Sequence, residues 1–175
     1  CAWLHDIRGE AAAIYLVGDL FDFWYEYRYT IPKGGVRLQG KIAELTDAGI
    51  PVHFFTGNHD LWMRDYFTRE LGVRVHHKPV SLAINGRMFY IGHGDGLGPG
   101  DRWYKVLRRI FRSKTSQWLF SRLHPNLAFA IARRSSRRSR IITGEQDREF
   151  LGPEKEWLYQ YALGILKTRH IDYFV

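Results

Sequence analysis

The chain has 175 residues, 26 Lys and Arg against 18 Asp and Glu, a net charge of +8, and 45% apolar and 15% aromatic residues. That balance excludes a disordered polymer and supports one core-forming unit with an excursion. A single cysteine excludes an internal disulfide and suits a reducing compartment, and no apolar run approaches the roughly 20 residues of a membrane-spanning helix.

Residues 1–9 read as a helix end and a turn. Ala13-Ile14-Tyr15-Leu16-Val17 is apolar and β-prone and predicts a strand. It runs straight into Gly18-Asp19-Leu20-Phe21-Asp22. Phe21, Phe23, Trp24, Tyr25, Tyr27 and Tyr29 follow as an aromatic stretch, read as packing beneath a site, with a pocket wall as the rival. Residues 36–48 predict an amphipathic helix with Val36, Ile42, Ala43 and Leu45 inward and Ala48-Gly49 closing it. Val52-His53-Phe54-Phe55-Thr56 predicts the next strand, which ends in Gly57-Asn58-His59-Asp60. A strand, a helix and a strand in this order predict parallel pairing. A helix over Leu61–Leu71 and strands over 73–75 and 80–84 come next, then an Asn85-Gly86 hairpin turn. Strand 88–91 leads to Gly92-His93-Gly94-Asp95.

Residues 96–152 break this rhythm. Gly96, Gly98, Pro99 and Gly100 form a flexible lead-in, and Asp101 can cap a helix over 102–112. A second helix is expected over about 116–134, then the basic run Arg133–Arg140. Residues 101–150 hold 13 Lys and Arg against 4 Asp and Glu, so the whole basic excess sits there. Such a surplus points to a phosphorylated or polyanionic partner, or to an anionic membrane surface. Pro153 opens an expected helix over 154–168 with Trp157, Tyr161, Leu163 and Leu166 inward, and 170–175 reads as a strand.

Three predicted strands therefore each end in glycine and deliver Asp, Asn or His at the C-terminal edge, where open α/β sheets place ligands. Oxygen and imidazole donors converging there suit divalent metals. The motifs GDLFD, GNHD and GHGD, in this order, resemble the calcineurin-like metallophosphoesterases. The family's first motif, D-x-H, and its last, GHxH, are absent from the sequence. The chain accordingly reads as an internal piece of a longer enzyme.

The resemblance implies an α/β fold, the metallophosphoesterase sandwich of mixed β-sheets flanked by helices, with an inserted helical cap. Residues 1–100 and 151–175 would form the core and 101–150 the cap. It implies two divalent metal ions, Mn²⁺, with Asp19, Asn58 and His93 as ligands. His59 would serve at the leaving-group oxygen, with Asp60 orienting it or bracing the loop. Asp22 and Asp95 would support the ligands from behind. The remaining histidines, His5, His53, His76, His77, His124 and His170, read as ordinary surface or core residues.

The order GDLFDFW, GNHD, GHGD and then a helical insertion resembles the branch of the family that hydrolyses an acylated nucleotide sugar in lipid A synthesis. That implies substrate contacts from Asn58, His59, Asp101, Tyr104, Ser136, Arg137 and Arg140. It also implies a peripheral place on the inner membrane of a Gram-negative bacterium. Nucleic acid ranks lower as a partner, and no obligate protein partner is inferred. Two rivals stay open: a metallophosphoesterase acting on a nucleotide, nucleic acid or phosphoprotein, and a non-catalytic relative that binds membranes. GNHD also departs from the branch, whose best-known members carry Arg where His59 stands.

Overall fold

A computed structural model describes residues 2–99, 102–143 and 152–175, the side chains of 137–143 excepted. The fold is α/β, with two three-stranded sheets in two compact units, Cys1–Val80 and Ser81–Val175.

The first unit opens with α1 (Ala2–Asp6) and a single 3-10 turn (Ile7–Gly9). Strand β1 (Ile14–Val17) leads through α2 (Val36–Asp47) to β2 (Val52–Phe55), and α3 (Tyr66–Leu71) to β3 (Arg74–His76). The sheet order is β1-β2-β3 with both pairs parallel, Ile14 opposite Val52 and His53 opposite Arg74. All four residues of β2 are buried, as a central parallel strand covered on both faces requires. Trp24, Ile42, Leu45, Phe54, Phe67 and Val73 form the middle of the core. The aromatic stretch is therefore split: Trp24 and Tyr25 are fully buried, whereas Tyr29 is exposed.

Two local expectations need correction. The helix expected from Leu61 begins only at Tyr66, because Glu26 supplies its N-terminal acceptor from a distance. The Glu26 carboxylate accepts from the backbone N–H of Asp65 at 3.0 Å and of Tyr66 at 3.2 Å. Val36, expected inward on α2, is exposed, and Gln39 is buried in its place.

One sheet face carries a ladder of rings. Tyr15 stacks on His53 with centroids 4.9 Å apart, His53 lies parallel to His76 at 5.2 Å, and Phe55 stacks on His76 at 4.6 Å. His53 Nδ1 and His76 Nε2 stand 3.0 Å apart, so one of the two donates to the other. Burial first, then the nearby His76 and Arg74 charges, hold the His53 imidazole below its ordinary range. Burial and Arg74 do the same to His76. Both rings are thus neutral in the fold and bind protons more readily once unfolded. Stability present above the ordinary imidazole value of 6.5 is lost as pH falls below it. Urea unfolding midpoints should drop between about pH 7.5 and about pH 5, with a flatter dependence in His53→Phe. Identical slopes in parent and variant would remove the ladder as the cause.

In the second unit, β4 (Val80–Ile84) and β5 (Arg87–Ile91) are neighbours joined at Asn85-Gly86. Both turn residues have positive φ, 50° and 75°, as a two-residue hairpin turn demands. Strand β6 (Tyr173–Phe174) pairs parallel to β5.

Four helices complete the described part: α4 (Arg102–Arg112), α5 (Lys114–Ser121), α6 (Pro125–Thr143) and α7 (Trp157–Leu166). The single helix expected over 116–134 is two. Pro125 lacks an N–H and is favoured at a first helical position, so the chain restarts there. Ser113 caps α5 by accepting from the Ser116 N–H at 3.1 Å. The basic run Arg133–Arg140 lies within α6.

Helix α7 starts at Trp157, after a turn in which Lys155 and Glu156 donate to the Gly152 carbonyl. Trp157, Leu163 and Leu166, expected inward, are exposed. Tyr161 instead ties the helix to the sheet, its hydroxyl 2.8 Å from that of Tyr90. No helix among the described residues is long and apolar enough to cross a membrane.

Candidate active site

Parallel pairing places the C-terminal ends of β1 and β2 on one edge, so GDLFD and GNHD emerge side by side. At the first turn, Gly18 (φ 68°) and Asp19 (φ 51°) are both left-handed. A non-glycine residue held there is uncommon, and such strain collects at functional sites. Asp19 Oδ1 accepts the backbone N–H of His59 at 3.0 Å.

His59 is held from several sides. Its carbonyl accepts the Trp24 N–H at 2.9 Å, and its Nδ1 lies 3.1 Å from the Asp22 carbonyl oxygen. A carbonyl only accepts, so Nδ1 carries the proton. Nε2 then faces Asp19 Oδ2 at 3.8 Å, an ion pair when the ring is protonated. Asp22 thus acts on His59 through its backbone, while its side chain is exposed.

Asp60 is completely buried. Its carboxylate accepts from the Gly57 N–H at 2.5 Å and from the Leu20 N–H at 3.2 Å, which ties the two loops together. Asp60→Ala orphans both donors and should cost about 3 kcal/mol, since hydrogen bonds to charged groups contribute ~1.5–3 kcal/mol each. Urea unfolding with amide exchange at Gly57 and Leu20 measures this. A cost under about 1 kcal/mol would deny the brace. Asn58, beside it, is exposed at the same edge.

In the second unit, His93 and Asp95 follow β5. His93 Nδ1 lies 3.3 Å from Asp95 Oδ1, and Asp95 Oδ2 accepts from the Tyr104 hydroxyl at 3.0 Å. Arg108, which the sequence did not single out, places Nε 2.9 Å from the same oxygen. Burial opposes ionisation of Asp95. The His93 hydrogen bond, the Arg108 charge and the Tyr104 hydroxyl outweigh it, so the carboxyl stays below its ordinary value. The i, i+4 spacing of Tyr104 and Arg108 was the available signal, since it puts both on one face of α4.

Ser136 is buried. Asp101 and the side chains of Arg137 and Arg140 lie outside the described residues.

Among the described residues, no three His, Cys, Asp or Glu side chains form a group able to hold an ion. The donors are nevertheless of a fitting kind: a carboxylate and an amide oxygen on one strand edge, and an imidazole whose other nitrogen is already engaged. An open apolar cleft of about 470 Å³ lies between Gly96–Pro99 and Tyr161, Gly164 and Ile165 of α7. Helix α4 exposes Trp103, Val106, Ile110 and Phe111 among its arginines.

No protein-family model matches the chain. Curated proteins do. The chain is 41% identical over 172 residues to a UDP-2,3-diacylglucosamine hydrolase of Porphyromonas gingivalis, covering 92% of this chain and 66% of that protein. It is 34% identical over 119 residues to the UDP-2,3-diacylglucosamine hydrolase of Aeromonas hydrophila subsp. hydrophila, covering 68% and 48%. It is 33% identical over 113 residues to that of Vibrio vulnificus (strain CMCP6), covering 65% and 46%. The chain thus spans 66% of the first relative and about half of the other two.

Proposed function

The chain belongs to the family of the UDP-2,3-diacylglucosamine hydrolases, and we propose that it carries out the reaction these names describe. Water would attack the α-phosphorus of UDP-2,3-diacylglucosamine, the pyrophosphate P–O bond would break, and UMP and 2,3-diacylglucosamine 1-phosphate would leave. The observation that carries this reading is the edge shared by β1 and β2. It brings Asp19, Asn58 and His59 to adjacent loops braced by Asp60.

Asp19 and Asn58 would hold divalent metal on the first unit, and His93 is the ligand offered by the second. Two Mn²⁺ ions are the proposed complement, which when bound polarise the phosphoryl oxygens and acidify a water. His59, with Nδ1 committed to the Asp22 carbonyl, would present Nε2 to the phosphoester and donate a hydrogen bond when protonated. Asp101, Tyr104, Ser136, Arg137 and Arg140 would contact the nucleotide sugar from a helical cap, residues 101–150.

A diacylated substrate needs apolar room and a route from the bilayer. The apolar cleft against α7 and the exposed Trp103, Ile110 and Phe111 of α4 support both. The basic surplus of residues 101–150 suits an anionic membrane surface. The protein would then sit peripherally on the inner membrane of a Gram-negative bacterium.

The test is Mn²⁺-dependent release of UMP from UDP-2,3-diacylglucosamine by the full-length protein. Hydrolysis of a simple phosphodiester alone would keep the metal chemistry and discard the lipid substrate. No turnover of either would leave a non-catalytic, membrane-binding relative.

A further inference from the structure

Asp95 sits in a clasp formed by one face of α4. Tyr104 and Arg108 both reach its Oδ2, at 3.0 and 2.9 Å, and His93 Nδ1 stands 3.3 Å from its Oδ1. The clasp is shielded, with the Asp95 and Arg108 side chains 11% and 20% exposed. Gly96 (φ +60°) makes the approach possible. A Cβ there would stand 3.2 Å from the Tyr104 ring and 3.4 Å from Arg108 Cδ. Lys105 of the same helix donates to the Gly98 carbonyl, so α4 holds this loop at one further point. An ionised carboxylate only accepts, so the nitrogen of His93 that faces it carries the proton. In the neutral ring the lone pair then lies on Nε2.

We propose that Arg108 is a positioning residue: by pinning Asp95 it holds His93 in the Nδ1–H form and aims Nε2 as a metal donor. The proposal rests on the reading of His93 as a ligand given above. Its physical basis is charge: Arg108 Nε stands 2.9 Å from Oδ2 without an aligned hydrogen bond, while the Tyr104 hydroxyl donates to the same oxygen. Without the guanidinium charge the carboxylate is held less firmly toward the imidazole. Partners standing behind a metal-binding histidine typically change metal affinity about 10–100-fold when removed. A Lys ammonium would keep the charge on a more flexible stem, so it should serve in part.

The experiment uses the full-length protein and two readouts. Nitrogen-15 NMR of the metal-free protein reports the His93 tautomer, and calorimetry with Mn²⁺ alone reports affinity. The parent should show the Nδ1–H form. Arg108→Gln should give mixed tautomers and about tenfold weaker Mn²⁺ binding, with little change in the urea midpoint. Arg108→Lys should recover part of both. Asp95→Asn keeps the shape, drops the charge, and should reproduce the mixed tautomers. An unchanged tautomer in Arg108→Gln and Asp95→Asn would overturn the proposal. So would a shift that Lys does not rescue and that tracks a falling urea midpoint. His93→Gln separates the two layers. Unaltered Mn²⁺ affinity there removes His93 as a ligand, while the metal-free tautomer still judges the clasp.

Discussion

Asp19→Ala is expected to lower Mn²⁺-dependent UMP release about 10³-fold. Metal polarisation of a phosphoryl oxygen contributes several kcal/mol to a transition state, and each ~1.4 kcal/mol is a factor of ten. The substitution also deletes the acceptor of the His59 N–H, whose 3.0 Å bond joins the two loops. Asp19→Asn separates these effects. It keeps an oxygen for His59 and removes the negative charge. Asn should therefore preserve the urea midpoint and still lose most of the turnover. Removal of metal by a chelator should silence the parent to the same level, with Mn²⁺ restoring it. Full activity in Asp19→Asn would sink the assignment of Asp19 to the metal.

Trp24→Ala should destabilise the protein by about 3–5 kcal/mol, the usual cost of emptying a buried aromatic position. Trp24 has no exposed surface. Its ring lies 4.6 Å from Phe21 and meets Phe67 edge-on at 5.0 Å. Its indole N–H donates to Glu26 at 3.0 Å, and that same carboxylate receives the first N–H groups of α3. Loss of the ring therefore leaves a cavity and loosens the residue that starts α3. Trp24→Phe isolates the second contribution. It fills most of the space, loses only the indole donor, and should cost about 1–2 kcal/mol. Urea unfolding of the two variants measures both. A cost under about 1 kcal/mol for Trp24→Ala would mean that the core closes over the gap.

Much of the local architecture was legible. Runs such as Ile14–Val17 and Val52–Phe55 have few ways to hide their side chains other than as buried strands, and the helix between them forces parallel pairing. The edge position of Asp19, Asn58 and His59 follows directly, because a glycine after each strand marks where the chain leaves the sheet. Boundaries were less legible. Nothing local at Leu61 reveals that α3 waits for Glu26, 39 residues before Asp65. The break at Pro125 was readable from its missing N–H, and the apolar periodicity on either side masked it.

The sequence by itself determined which chemistry the chain can carry: carboxylate, amide and imidazole donors at strand ends, and a basic, apolar-rich helical segment. These depend on residue type and short-range spacing, which any conformation of the chain preserves. Tertiary structure alone decided how the donors are held. It gave His59 its tautomer through the Asp22 carbonyl, buried Asp60 as the brace of two loops, and set Arg108 against Asp95. It also turned Trp157, Leu163 and Leu166 outward. Those outcomes rest on which backbone groups arrive within 3–4 Å of one another, and only the packing of separate elements determines that distance.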